Sequence, residues 1–272
     1  MLEKKIKLIH RGKIKAVRAR ALGISPKNIY HQRKQEVKDQ ALAQKIREVH
    51  KTDPAYGHRR VALKLGINHK KALRVMNKFG IKPPRRKVKK IYCTKSTYAH
   101  DYTNLIKNIR PKEPDIIWVS DVSYIKFQGK FYYLATIEDL ATREIVTAQV
   151  SRKHDSLLIH HTIKQALATG RKPEYFHSDQ GTEFMAEICT NLLEANKIKV
   201  SVSATASPWE NGFNESFFGR FKEEFGDFNR FEHVGQLIEE VYSQVHYYNY
   251  QRIHTSLKMS PKNYAQTLRK LS

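Results

Sequence analysis

Three acidic residues carry the chemistry this sequence could perform. Asp121 stands at the middle of EPDIIWVSDVSYIKF, residues 113–127, an apolar and β-branched run that reads as a strand. A carboxylate inside a strand core is costly unless it is paired or bound to a cation. Asp179 follows a short strand around Tyr175 and Phe176 in KPEYFHSDQGTEF, residues 172–184. Strand ends of that kind face the crevice where α/β sheets place their chemistry. Glu215 comes after 35 intervening residues, in SPWENGFNESFFGRFKEEFG, residues 207–226. A lone glutamate on an amphipathic helix is ordinarily just solvated. Here Lys222 follows it by seven residues, two helical turns, so both share a polar face with Asn211. Carboxylate oxygens gathered at one place are the donors that a hard cation such as magnesium takes.

The elements that must position these groups follow from local pattern. Ser207 suits an N-cap, Pro208 the first helical position, and Glu210 completes a capping box. Phe213, Phe217, Phe218, Phe221 and Phe225 then fall on one apolar side that packs on a core. After the Asp121 strand, residues 130–139 and 143–151 are β-rich, with a turn at Leu140 to Thr142, which predicts an antiparallel meander. A helix over about 155–169, the Asp179 strand, a helix through Leu193 and a strand over 197–203 come next. A last helix spans about Val234 to Tyr250. Strands first in a meander and then separated by helices predict an α/β domain. Two further acids are read as structural. Asp139 sits in a turn where it caps or pairs with Arg143, and Glu183 opens a helix whose dipole it suits.

With HSDQGTEF around the second acid and ENGFNESFFGRFK around the third, the sequence resembles the catalytic core of retroviral integrases and of related insertion-sequence transposases. It is most similar to the second-frame transposase of bacterial insertion sequences. The residues that carry this are Trp118, Asp121, Tyr124 and Ile125, then Tyr248, Asn249, Arg252, His254, Leu257 and Pro261. The resemblance covers about residue 40 to the C-terminus. It implies a ribonuclease-H-like mixed five-stranded sheet with flanking helices. It also implies a polynucleotidyl transferase that cuts the ends of an insertion sequence with water and then joins the freed 3′-hydroxyl to another strand. Asp121, Asp179 and Glu215 would hold two Mg2+ ions, for which Mn2+ can substitute, with Asp121 bridging them; Lys222 and Asn211 would lie near substrate phosphates. No covalent enzyme intermediate is expected. Alternatives are a metal-dependent nuclease of the same fold and a catalytically silent, transposase-derived DNA-binding regulator. The first would not need a basic helical region in front, and the second would have lost an acid.

Charge placement points to the partner. Residues 1–110 hold 31 Lys and Arg against 6 Asp and Glu, so the whole net charge of +24 arises there, while the rest of the chain is nearly balanced. Such asymmetry matches a polyphosphate partner, here double-stranded DNA. Leu22-Gly23 ends one helix and Ser25-Pro26 opens another, giving a short helix-turn-helix. A further helix is read from about Val37, then HRRVALKLG, a turn at Gly66 and HKKALRVMNKFG. In that last helix Leu73, Met76 and Phe79 are expected inward and His69, Lys70, Lys71 and Arg74 outward, as in a recognition helix. PAYGHRR, with Arg59 and Arg60, resembles the helical domain ahead of the core in these transposases. IKPPRRKVKKIYCTKSTYAH, with Arg85, Arg86 and Lys87, has no acid and two adjacent prolines, so it reads as an extended basic linker. The expected organisation is an all-α helix-turn-helix DNA-binding region over 1–82, a linker over 83–109, and a core with a helical tail over 110–272. In the tail, Arg252 and His254 are placed as DNA contacts.

Cys93 and Cys189 provide neither a disulfide framework nor the His/His/Cys/Cys zinc module of a retroviral integrase. No run of about 18 apolar residues exists, so a cytoplasmic bacterial protein with no membrane span is expected. Joining two DNA ends implies a homo-oligomer on DNA. The heptads that would provide it are absent here, and in related elements they lie in an upstream-frame helix-turn-helix and coiled-coil partner.

Overall fold

A computed structural model describes residues 15–84, 102–203 and 212–271, with the side chains of 26–33, 212–215 and 271 outside that description. The chain forms two compact units, divided between Arg85 and Arg86.

The first unit is all helical: α1 (Lys15–Ala21), α2 (Pro26–Thr52), α3 (His58–Leu65) and α4 (His69–Lys78). Gly23 adopts φ +69 between α1 and α2, a left-handed turn that a β-carbon would strain. Proline occupies the start of α2, as the sequence predicts. The second helix expected from Val37 is instead the continuation of α2, because nothing between Pro26 and Thr52 breaks the backbone pattern. Leu42, Ala43, Ile46 and Val49 of α2 are buried, as are Val61, Ala62, Ala72, Val75 and Met76 of α3 and α4. Leu73 corrects the expectation for α4: it is 39% exposed, and Ala72 and Val75 take the interior positions.

The second unit is a five-stranded mixed sheet in the order β3-β2-β1-β4-β5. β1 (Ile117–Phe127), β2 (Lys130–Asp139) and β3 (Ile145–Ser151) form the expected antiparallel meander. β4 (Tyr175–Ser178) and β5 (Lys199–Val202) join in parallel. On one face α5 (Ser156–Ala168) and α6 (Glu187–Ala195) cover Trp118, Ala135, Ile137, Phe176 and Val200. On the other, α7 (Gly212–Phe225) and α8 (Val234–Tyr250) cover Ile125, Phe127, Tyr132 and Leu134. The Phe stripe is the glue, since Phe217, Phe218, Phe221 and Phe225 are all at most 6% exposed. Each buried ring is worth about 1.5–3 kcal/mol relative to exposure. Gly226 ends α7 at φ +80. The start signals of that helix, Ser207, Pro208 and Glu210, lie outside the described residues.

Three boundaries differ from expectation. Ile106 is buried with Ile117 and Val119, and Val202 N donates to Thr103 O at 3.1 Å, so residues 102–109 pack on the core and are not linker. The helical tail continues past Tyr250 into a separate helix, α9 (Pro261–Leu271), whose bounds the sequence reading did not give. α6 begins at Glu187, so Glu183 lies in the turn before it and not at a helix start.

Candidate active site

β1 and β4 bring two of the three acids together. They run parallel with Ile117 opposite Tyr175, Trp118 opposite Phe176 and Val119 opposite His177. Asp121 stands two residues past the last of these pairs on β1, and Asp179 directly follows the end of β4, so the two acids lie toward the same end of neighbouring strands. Alternation puts both on the face that packs α7, because Asp121 shares parity with Ile125 and Phe127.

Local hydrogen bonds hold each acid. Asp121 is half-buried, and its Oδ1 accepts from Val122 N at 2.8 Å. Asp179 Oδ1 accepts from Gly181 N at 3.0 Å, the turn that ends the strand. Gln180 Nε2 donates to Ser203 O at 3.2 Å and ties that turn to the end of β5. Solvent reaches Asp179, yet the protein atoms around it desolvate its carboxyl and push its pKa above the ordinary carboxylate value, with the charge of Glu183 acting the same way. The Gly181 N–H and His154 oppose that shift.

The helix that bears the third acid runs along the same face. Glu215 lies in the first turn of α7, and its side chain, like the whole of Asn211, lies outside the described residues. Lys222, two turns on, is half-buried with Nζ 4.4 Å from the centre of the Tyr124 ring. Burial lowers its pKa, and the charge of Asp121 opposes that. Lys222 and Asp121 therefore feel each other's charge.

One pair at this site was not anticipated. His154 Nε2 lies 2.8 Å from Glu183 Oε1, and the His154 ring stacks on Tyr133 at 5.0 Å between centres. The contact fastens the β3–α5 loop to the turn behind Asp179. A β-carbon at position 181 would come within 2.7 Å of Glu183 Oε1, so glycine leaves room for that carboxylate. No sequence signal links residues 29 positions apart in two loops.

Several cations expected on DNA are committed elsewhere. Arg252 is 4% exposed and its Nε donates to both oxygens of Glu224, at 2.9 and 2.7 Å, so it fastens the segment just after α8 to α7 and is no surface contact. His254 is half-buried, and its backbone pairs with Met259. Arg74 reaches the buried Asp39 with two hydrogen bonds, at 2.7 and 2.6 Å, and Lys78 joins them. Arg60 is buried over the Tyr56 ring. Arg59, His69, Lys70 and Lys71 do face solvent. Arg85, Arg86 and Lys87 lie outside the described residues.

Asp139 has the structural role read for it. It is fully buried, accepts from Thr142 N and Oγ1 at 2.8 and 2.7 Å, and takes Asp115 N at 2.6 Å. Its cationic neighbour is Arg171, whereas Arg143 lies 3.7 Å from Glu138.

Among the described residues, no group of three or more His, Cys, Asp or Glu side chains is placed to hold a metal ion. The donor chemistry at Asp121 and Asp179 nonetheless fits a hard cation. It is all carboxylate oxygen, and the desolvation that raises Asp179 is the cost a bound cation would offset.

Residues 111–208 and 196–261 each match a family model for an integrase core domain. The chain is 35% identical over 202 residues to an uncharacterized transposase-like protein of Haemophilus influenzae, covering 73% of this chain and 93% of that one. It is 27% identical over 242 residues to the transposase for insertion sequence element IS904 of Lactococcus lactis, covering 85% and 96%. The fold is similar to that in the cryoEM structure of the simian T-cell lymphotropic virus intasome in complex with PP2A regulatory subunit B56 gamma. That match has a TM-score of 0.53 and 15% identity, over 80% of this chain and 73% of that chain. The chain belongs to the family of insertion-sequence transposases built on a ribonuclease-H-like integrase core.

Proposed function

We propose that this transposase cleaves and joins DNA strands at a site made by Asp121, Asp179 and Glu215, with Mg2+ as cofactor and Mn2+ able to replace it. The observation that supports the reading is the parallel β1–β4 pairing, which brings Asp121 and the strand end before Asp179 onto neighbouring strands, with the Glu215 helix packed on the sheet. Divalent cations held there would neutralise the phosphodiester and the charge that develops on attacking and leaving oxygens. The two aspartates supply oxygen donors from rigid strand ends, and Glu215 supplies a third from the opening turn of α7. Lys222 puts a cation beside Asp121, where it would meet a substrate phosphate and not a metal. The turn at Gly181 and the His154–Glu183 contact keep Asp179 in place.

For the duplex, Arg59, Lys70 and Lys71 offer exposed cations, and the basic segment with Arg85, Arg86 and Lys87 adds more. Each phosphate neutralised makes binding steeper in salt. Joining two ends at once calls for more than one copy on the DNA, and an upstream-frame partner is one way to provide it.

Calorimetric titration of the protein with Mn2+ tests the donor set. Saturable binding that weakens at least tenfold in Asp121→Asn and in Asp179→Asn is expected, since removing one charged ligand costs more than about 1.4 kcal/mol. Unchanged affinity in both variants would contradict the assignment.

A further inference from the structure

The face of the sheet opposite the carboxylates is only partly covered. α5 packs on Trp118, Ala135 and Ile137, and the far end of the β1–β2 hairpin extends beyond it. Alternation places Tyr124 and Lys126 on that face, and the antiparallel register puts Phe131 opposite Lys126. Tyr124 and Phe131 are each 46% exposed, and their rings meet edge to face at 5.9 Å and 82°. Lys126 Nζ lies 5.9 Å from the centre of the Phe131 ring, and Lys222 Nζ 4.4 Å from that of Tyr124. Arg152 donates to Phe131 O at 3.2 Å and covers the Tyr132 ring at 4.8 Å. Among the described residues, none of these three cations forms an ion pair with a carboxylate.

Two half-exposed rings flanked by cations match one kind of ligand, a planar base carrying a phosphate. A base inside a duplex has both faces covered by its neighbours, so only an unpaired one can use the rings. Lys222 connects this surface to the acids, because it stands over Tyr124 and also feels the charge of Asp121.

We propose that Tyr124 and Phe131, flanked by Lys126 and Lys222, form a stacking platform for an unpaired nucleotide of a splayed DNA strand whose backbone leads to Asp121. The inference rests on the reading of this site as a DNA strand-cleavage centre. It adds that the terminal base pairs are opened and that the protein holds one separated strand.

The test uses the full chain in chelator, so that no cleavage intervenes. Fluorescence anisotropy compares a blunt duplex with a fork of the same sequence whose end carries mispaired thymidine arms. The fork should bind more tightly than the blunt duplex. Tyr124→Ala with Phe131→Ala should lower fork affinity roughly tenfold and leave blunt affinity unchanged, whereas Tyr124→Phe with Phe131→Tyr should keep the fork preference. Both side chains are exposed, and thermal melting of each variant verifies folding. The proposal is overturned if the alanine variant retains the fork preference, or loses both probes equally. It is also overturned if the variant changes only the oligomeric state at equal fork affinity, which would make the rings a contact between copies. A wild-type protein that prefers the fork but cuts no DNA with Mg2+ would sink the cleavage reading and leave the platform standing.

Discussion

Lys222 illustrates why a residue's chemistry depends on what surrounds it. Its stem is packed at Tyr124, burial disfavours its charge, and Asp121 favours it. Replacing it with methionine keeps the stem and removes the charge. Lys222→Met should therefore cut strand joining by roughly a hundredfold, the usual worth of one positioned charge-stabilising group. The melting temperature should hold or rise, because a desolvated ammonium has gone. Joining rate and thermal melting, measured together, check both halves. The two-turn spacing of Lys222 from Glu215 placed both on one helix. Arg74 and Arg252 were not so legible, because a sequence of basic residues does not reveal which guanidinium will meet a carboxylate inside the protein. Asp39 and Glu224 take them, at 35 and 28 residues' distance. The His154–Glu183 pair was hidden for the same reason: charge partners in different loops leave no periodic trace.

At the scale of elements, the site depends on α7 being pressed against β1 and β2. Phe221 is 3% exposed, with Phe217 at 5.8 Å and Phe225 at 5.4 Å between ring centres. Phe221→Ala should destabilise the second unit by about 3–5 kcal/mol, through lost transfer energy and the cavity left behind. Urea denaturation gives that number, and a loss under 1 kcal/mol would show the helix to be loosely held. The stripe itself was legible, as were all five strands, because alternation and helical spacing are local. What escaped notice depended on distant contacts. Residues 102–109 have no helical or strand period, yet Leu105 N donates to Ser201 Oγ at 2.9 Å and fixes the segment to β5. α2 runs through the point where the sequence suggested two helices, since a cluster of polar residues is compatible with a solvated helix face as well as with a turn.

For the whole molecule, two electrostatic features stand apart. One is the concentration of positive charge in the first 110 residues, which suits a duplex partner. The other is Glu138, fully buried between Asp139 and Arg143. Burial foremost, and then the charge of Asp139, push its pKa up to about 8, with Arg143 pulling against them. A folded carboxyl that titrates above its unfolded value favours folding while protonated. The contribution is therefore full below about pH 4.5 and declines as the pH rises to about 8. The decline is at most about 1.4 kcal/mol per pH unit. Glu138→Gln should remove that slope, so its stability relative to the parent protein should grow between pH 5 and 8, as urea titrations across that range will show. Parallel pH profiles for the two proteins would mean that Glu138 is ionised in the fold.

The most direct measurement concerns the three acids together. Labelled DNA carrying the ends of the insertion sequence would be incubated with the full chain, and with Asp121→Asn, Asp179→Asn and Glu215→Gln, in Mg2+ or in chelator. The account predicts strand nicking and joining by the parent protein in Mg2+ alone, and loss of at least a thousandfold in each variant while duplex binding persists, because every ligand acts in the same charge-neutralising step. Cleavage that survives in Asp121→Asn or Asp179→Asn would contradict it, since the acids at the ends of neighbouring strands would then have no part in the reaction.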